Sequence, residues 1–223
     1  MQRDAQTGKA EIAERRARGV VLLGLAAFTG FLALAAVRYP GGSWADPHAR
    51  RFELLRNYWC DLFRVEAVNG LPNATSLLLA RTAFFAMAAI LPPFWWLASR
   101  KLDGRRARLA VIGCGLANAV GVAVVASLAY RGYGVAHVAI TSAAGALGLA
   151  AAAIVLRADL PPLSPLNATR AWGLALVVSV AANLAVYLPL ALGGGDSVAM
   201  PVVQKLATVC VLGWMLTIAR ARC

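Results

Sequence analysis

Residues 74–97 read ATSLLLARTAFFAMAAILPPFWWL, an apolar run of 24 residues carrying a single charge, Arg81. At about 1.5 Å per residue a helix of that length crosses the roughly 30 Å of hydrocarbon in a bilayer. Five further runs have the same character, at 19–37, 109–130, 134–156, 171–192 and 198–218. In hydrocarbon every backbone N–H and C=O needs a partner within the protein, so spans are helices or closed barrels, and continuous apolar runs predict helices. The expected fold is all-α: a polytopic membrane protein, a six-transmembrane-helix bundle forming one membrane domain over 19–223 behind a polar, basic segment at 1–18.

Composition agrees. Sixty per cent of the 223 residues are hydrophobic and 14% charged, too apolar a balance for one soluble core of this size. The formal charge of +12 does not point to nucleic acid, because the basic residues sit in short links between spans and no soluble domain is left to present a groove-reading face. Cys60, Cys114, Cys210 and Cys223 lie far apart without metal-ligand spacing, so neither a metal site nor a disulfide framework is expected, and no cofactor is implied. The run at 19–37 exceeds the apolar core of a cleaved signal peptide and reads as a start-transfer anchor.

The same basic residues predict orientation, since cytoplasmic segments carry an excess of them. With the N-terminus inside, fourteen are cytoplasmic: Arg3, Lys9, Arg15, Arg16, Arg18, Arg100, Lys101, Arg105, Arg106, Arg108, Arg157, Arg170, Arg220 and Arg222. Six fall outside, namely Arg38, Arg50, Arg51, Arg56, Arg64 and Arg131. The expectation is a bacterial-type cytoplasmic membrane protein with both termini inside. Trp95, Trp96, Trp172, Tyr130 and Tyr133 near span ends suit headgroup depth. Small residues at four-residue spacing, Gly113, Ala117 and Gly121 on the third span and Ala144, Gly148 and Ala152 on the fourth, predict helix-packing seams.

Charges inside spans are costly and therefore informative. Arg81 and Lys205 each lie seven residues, about 10 Å, into a span that enters from the outside. His137 lies near the start of another such span. Ser127, Tyr130, Asn183 and Tyr187, on spans running the other way, reach the same outer half. The one long link, 38–73, arrives there too with Asp46, His48, Glu53, Asp61 and Glu66. Within it residues 51–64, RFELLRNYWCDLFR, place Phe52, Leu55, Trp59, Leu62 and Phe63 at helical spacing, which predicts a short amphipathic interfacial helix in this extracytoplasmic loop, followed by turn chemistry at 69–73.

Such a cluster has two readings. Arg81 could pair with Asp61 or Glu66 and tie the loop to the bundle, which is structural. Alternatively Arg81 and Lys205 could face a cleft and hold an anionic lipid headgroup or small anion. Catalytic patterns such as GxSxG, HExxH or a Walker loop are absent from the sequence. Without an acidic residue inside any span, a Schiff-base chromophore on Lys205 is not expected. The Asn-Ala-Thr triplets at Asn73 and Asn167 are read as chance matches to a glycosylation pattern.

The segment RNYWCDLFRVEAVNGLPN at 56–73, the Arg-bearing span that follows and PVVQKLATVCVLGW at 201–214 resemble bacterial multi-pass membrane proteins of unknown function, the DUF998 and Frag1/DRAM/Sfk1-like families. Asn57, Tyr58, Asp61 and Leu62 stand in the places of an N-Y-x-x-D-L motif after the first span, with Phe63 where more typical members have glycine. The resemblance singles out Asn57, Asp61, Asn69, Arg81, Gln204 and Lys205; with Glu66 and His137 these make the candidate binding cluster. The expected partners are membrane lipids, a possible anionic headgroup and a possible homo-oligomer or membrane complex. The alternatives are a lipid-modifying membrane enzyme, using Asp61 or Glu66 with Arg81 and Lys205, and a small transporter or transporter subunit.

Overall fold

In the computed structural model the described residues are 2–128, 135–159, 167–191 and 199–221. They form six helices: α1 (Gln2–Arg38), α2 (Ala74–Ser99), α3 (Arg105–Ser127), α4 (Val135–Asp159), α5 (Ala168–Ala191) and α6 (Ala199–Arg220). Each contains a stretch long and apolar enough to cross a membrane. The protein is a multi-pass integral membrane protein.

Span boundaries follow charge and turn residues. α3 starts at Arg105 just after Gly104, where a glycine replaces the usual side-chain cap. Pro201 falls in the first turn of α6, where its missing N–H costs nothing. Pro92 and Pro93 lie inside α2, which continues through them because packed neighbours hold a transmembrane helix that propensity alone would break. From Gln2 on, the polar N-terminal segment runs into the first span as one helix, α1. Glu14 stitches its basic end, accepting from Arg18 one turn on and pairing with Arg100 Nε at 3.5 Å beyond the end of α2. The span ends expected at Tyr130, Gly134, Leu192 and Val198 lie outside the described residues, as do Tyr133 and the side chain of Tyr187.

Each helix packs on its neighbour in sequence, and α1 also meets α6, so the bundle closes into a ring. With no hydrophobic drive between helices in lipid, close approach depends on small residues and interlocking side chains. Gly121 of α3 meets Ala144 of α4, where an added Cβ would come within 2.6 Å of the alanine Cβ. Gly148 lies under the Asn118 amide, whereas Gly113 faces open space, so only part of the expected α3 seam packs. Towards the end of the bundle away from the long loop, Phe94, Trp95 and Trp214 meet edge to face at centroid distances of 4.9–5.9 Å.

Candidate functional site: a folded loop above an intramembrane cavity

The loop between α1 and α2 has its own folded order. Gly41 and Gly42 have φ of +125° and +81°, and a Cβ on Gly42 would lie 2.4 Å from the Asn69 backbone nitrogen, so two strands of loop cross where only glycine fits. Asn57, fully buried, donates to Gly42 O at 2.7 Å and to Asp61 Oδ2 at 2.9 Å, and its own carbonyl oxygen Oδ1 accepts from Glu53 N at 2.8 Å. The same Asp61 oxygen accepts from Tyr58 N at 2.9 Å. These side chains occupy the backbone groups that a helix would need. That is why the helix expected over 51–64 is confined to a 3-10 turn, Trp59–Phe63, with Leu62 and Phe63 buried on the bundle rather than lying in the interface. The Asn57, Tyr58, Asp61 and Leu62 pattern is thus a self-stitched turn.

Three residues of α6 receive the loop. Gln204 Oε1 accepts from Trp59 N at 2.8 Å, and Thr208 Oγ1, one turn on, accepts from Trp59 Nε1 at 3.1 Å. Lys205 Nζ donates to the Asn57 carbonyl and lies 4.8 Å from the Trp59 ring centroid and 5.4 Å from that of Phe52, the two rings being stacked. The ammonium is therefore wrapped by the loop and held by cation–π contact, not presented to an open cleft.

The remaining candidates divide. His137, buried at the start of α4, brings Nε2 to 3.2 Å from Cys60 Sγ in the 3-10 turn. Arg81 goes elsewhere: it donates to Ser127 O at 3.0 Å, satisfying a free carbonyl at the end of α3, and its Nε is buried without a partner. The pairing of Arg81 with Asp61 or Glu66 is not formed, because Asp61 is consumed by the loop and Glu66 is exposed beside the turn it bridges to Pro72. Asn69 donates to Pro40 O at 3.1 Å and shapes the turn at Gly70. The structure brings together Asn57, Asp61, His137, Gln204 and Lys205, and leaves Glu66, Asn69 and Arg81 outside that group.

Directly beneath lies a cavity of about 290 Å³ bounded by all six helices. Its walls are mainly apolar, including Phe28, Met87, Leu91 and Leu176. Trp59, Cys60, Gln204 and Thr208 line its loop end, and Trp95, Asn118 and Trp214 line it deeper in the bundle. Gln204 and Trp214 are ten residues apart on α6, so the cavity runs about 15 Å along the bundle. Three of the lining residues each hold a buried polar atom without a hydrogen-bond partner, Thr141 Oγ1, Asn183 Oδ1 and Trp214 Nε1, the last packed against Gly173 of α5. Native interiors rarely leave such groups unpaired.

Sequence reasoning missed Cys60, Thr141, Thr208 and Trp214. Only the i, i+4 spacing of Gln204 and Thr208 marked a shared face in advance. Burial, with Asp61 adding to it, pushes the Cys60 thiol up to about 12 against opposing pulls from Gln204 and Lys205. Among the described residues no group of three His, Cys, Asp or Glu side chains could hold a metal ion. No family model, curated protein or solved structure matches the chain.

Proposed function

We propose that this protein holds one lipid-like molecule, an apolar chain with neutral hydrogen-bonding groups, in the intramembrane cavity under the folded loop. The observation that carries the reading is the coincidence of an apolar cavity with buried, partnerless polar atoms on Thr141 and Asn183, two of the residues that line it. Its volume is at the lower end of the range of about 300–1,000 Å³ for small-molecule sites. A chain would fill the apolar walls, a hydroxyl would donate to Asn183 Oδ1, and an ester or other carbonyl would accept from Thr141 Oγ1. An anionic headgroup on Arg81 and Lys205 has less support, because Ser127 and the loop already engage both cations. The basic residues at the end opposite the loop support an orientation in a bacterial-type cytoplasmic membrane with both termini inside.

Lipid extraction and mass spectrometry of the purified protein test this reading. Wild type should retain about one lipid per chain above the annular background. Gly145→Leu should lose at least ten-fold of it while keeping helicity and elution volume, because Gly145 lines the cavity and a Cβ there meets only Leu184 at 3.9 Å. Equal lipid in the two proteins, or none above background in wild type, overturns the reading. Loss of an anionic lipid on Arg81→Met, with Gly145→Leu unaffected, would favour the headgroup site instead.

A further inference from the structure

The loop end of the cavity is lined by the Cys60 thiol and the Gln204 amide, and an imidazole from a third element, His137, stands outside the lining against the thiol. Cys60 Sγ lies 3.2 Å from His137 Nε2, a contact in which the thiol donates when the imidazole keeps its proton on Nδ1. Gln204 Nε2 lies 4.0 Å from the same sulfur. The orientation of that amide is set independently, since Trp59 N donates to Gln204 Oε1 at 2.8 Å and the NH₂ group must then face the sulfur. Cys60 also lines the cavity.

We infer that Cys60 is an acyl-accepting nucleophile for an ester or thioester lipid in the cavity, with His137 as its general base and Gln204 as oxyanion donor. The inference rests on the lipid-binding reading. In the step, Sγ attacks the acyl carbonyl carbon as the thiol proton passes to His137 Nε2. The carbonyl oxygen then develops charge beside Gln204 Nε2, where a preorganised donor in a dry site is most effective. Collapse breaks the donor C–O or C–S bond, and His137 returns the proton to the departing alcohol or thiol. The products are an S-acyl Cys60 and the free alcohol or thiol, with no redox change. A thiol this deeply buried rests neutral at ordinary pH, so the nucleophile forms only during proton transfer to His137. The apolar cavity would deliver the chain with its carbonyl at the sulfur and keep water from competing.

The test uses the full chain in lipid nanodiscs with decanoyl 4-nitrophenyl ester as probe, reading 4-nitrophenolate release, intact mass and the site of acylation by peptide mapping. One decanoyl group should appear on Cys60, removable by hydroxylamine, and none on Cys114, Cys210 or Cys223. Cys60→Ala should abolish it. His137→Gln should slow it by about 100-fold, the usual scale for loss of a general base, with melting temperature and co-purifying lipid unchanged. Gly145→Leu should block acylation without touching the dyad. Acylation that ignores His137, or that falls equally on Cys114, Cys210 or Cys223, overturns the proposal. If wild type retains cavity lipid but no adduct forms, the nucleophile is refuted and the lipid site stands; if cavity lipid is absent as well, the lipid-binding reading fails on its own measurement.

Discussion

Asp61 is the residue on which the loop turns. One carboxylate oxygen accepts from both the Asn57 amide and the Tyr58 backbone N–H, and the residue is fully buried. Asp61→Ala strands both donors and should cost about 3 kcal/mol, whereas Asp61→Asn keeps an acceptor, loses only the charge assistance and should cost about 1 kcal/mol. Thermal unfolding in detergent separates the two. Burial pushes the Tyr39 phenol from 10.0 up to about 12, and its oxygen accepts from Val68 N at 3.0 Å. The folded state therefore holds this proton to higher pH than the unfolded chain does. Its contribution is complete below pH 10 and is lost as pH rises through 12, the Cys60 thiol acting in the same direction. Melting temperature should fall across that window, and less steeply in Tyr39→Phe. Asn57 and Asp61 were recognisable in the sequence as a polar motif after the first span. Their partners were not, because Gly42 lies fifteen residues before Asn57 and no periodicity links the two.

At the scale of the element, helix seams distinguish glycines that look alike in sequence. Gly121→Ala pushes a methyl into Ala144 and should destabilise the α3–α4 pair by about 2 kcal/mol. Gly113→Ala meets nothing within 4 Å and should be neutral or stabilising by up to about 1 kcal/mol, through helix propensity alone. Both glycines lie on one four-residue stripe, so the sequence marks the face. Which member touches α4 depends on where the helices cross. The loop shows the opposite outcome: residues 51–64 carry a helical spacing of apolar side chains, yet the 3-10 turn Trp59–Phe63 is all the helix that forms. Periodicity reports which side chains want burial. It does not report that Asn57 and Asp61 will spend the backbone donors on themselves.

For the whole molecule, the Cys60, His137, Gln204 and Lys205 group gathers at the loop end, and the expected orientation makes that end extracytoplasmic. An impermeant thiol reagent on intact cells should therefore label Leu55→Cys, whose parent residue is exposed in the loop, and spare Arg106→Cys at the opposite end. The reverse pattern would invert the orientation while leaving the cavity unchanged. The sequence by itself determined the number and class of the helices, because an apolar run of span length has one stable solution in hydrocarbon and needs no distant partner to adopt it. It also marked the loop-side half of the bundle as polar. Only the tertiary structure decided which of those polar groups meet: Lys205 with Trp59 and Phe52, Cys60 with His137, and Arg81 with Ser127. It alone formed the cavity, whose wall is assembled from side chains of every helix. Span formation is a local balance of hydrogen bonding and solvation. A site built from all six helices depends on their rotation and spacing, which no single segment encodes.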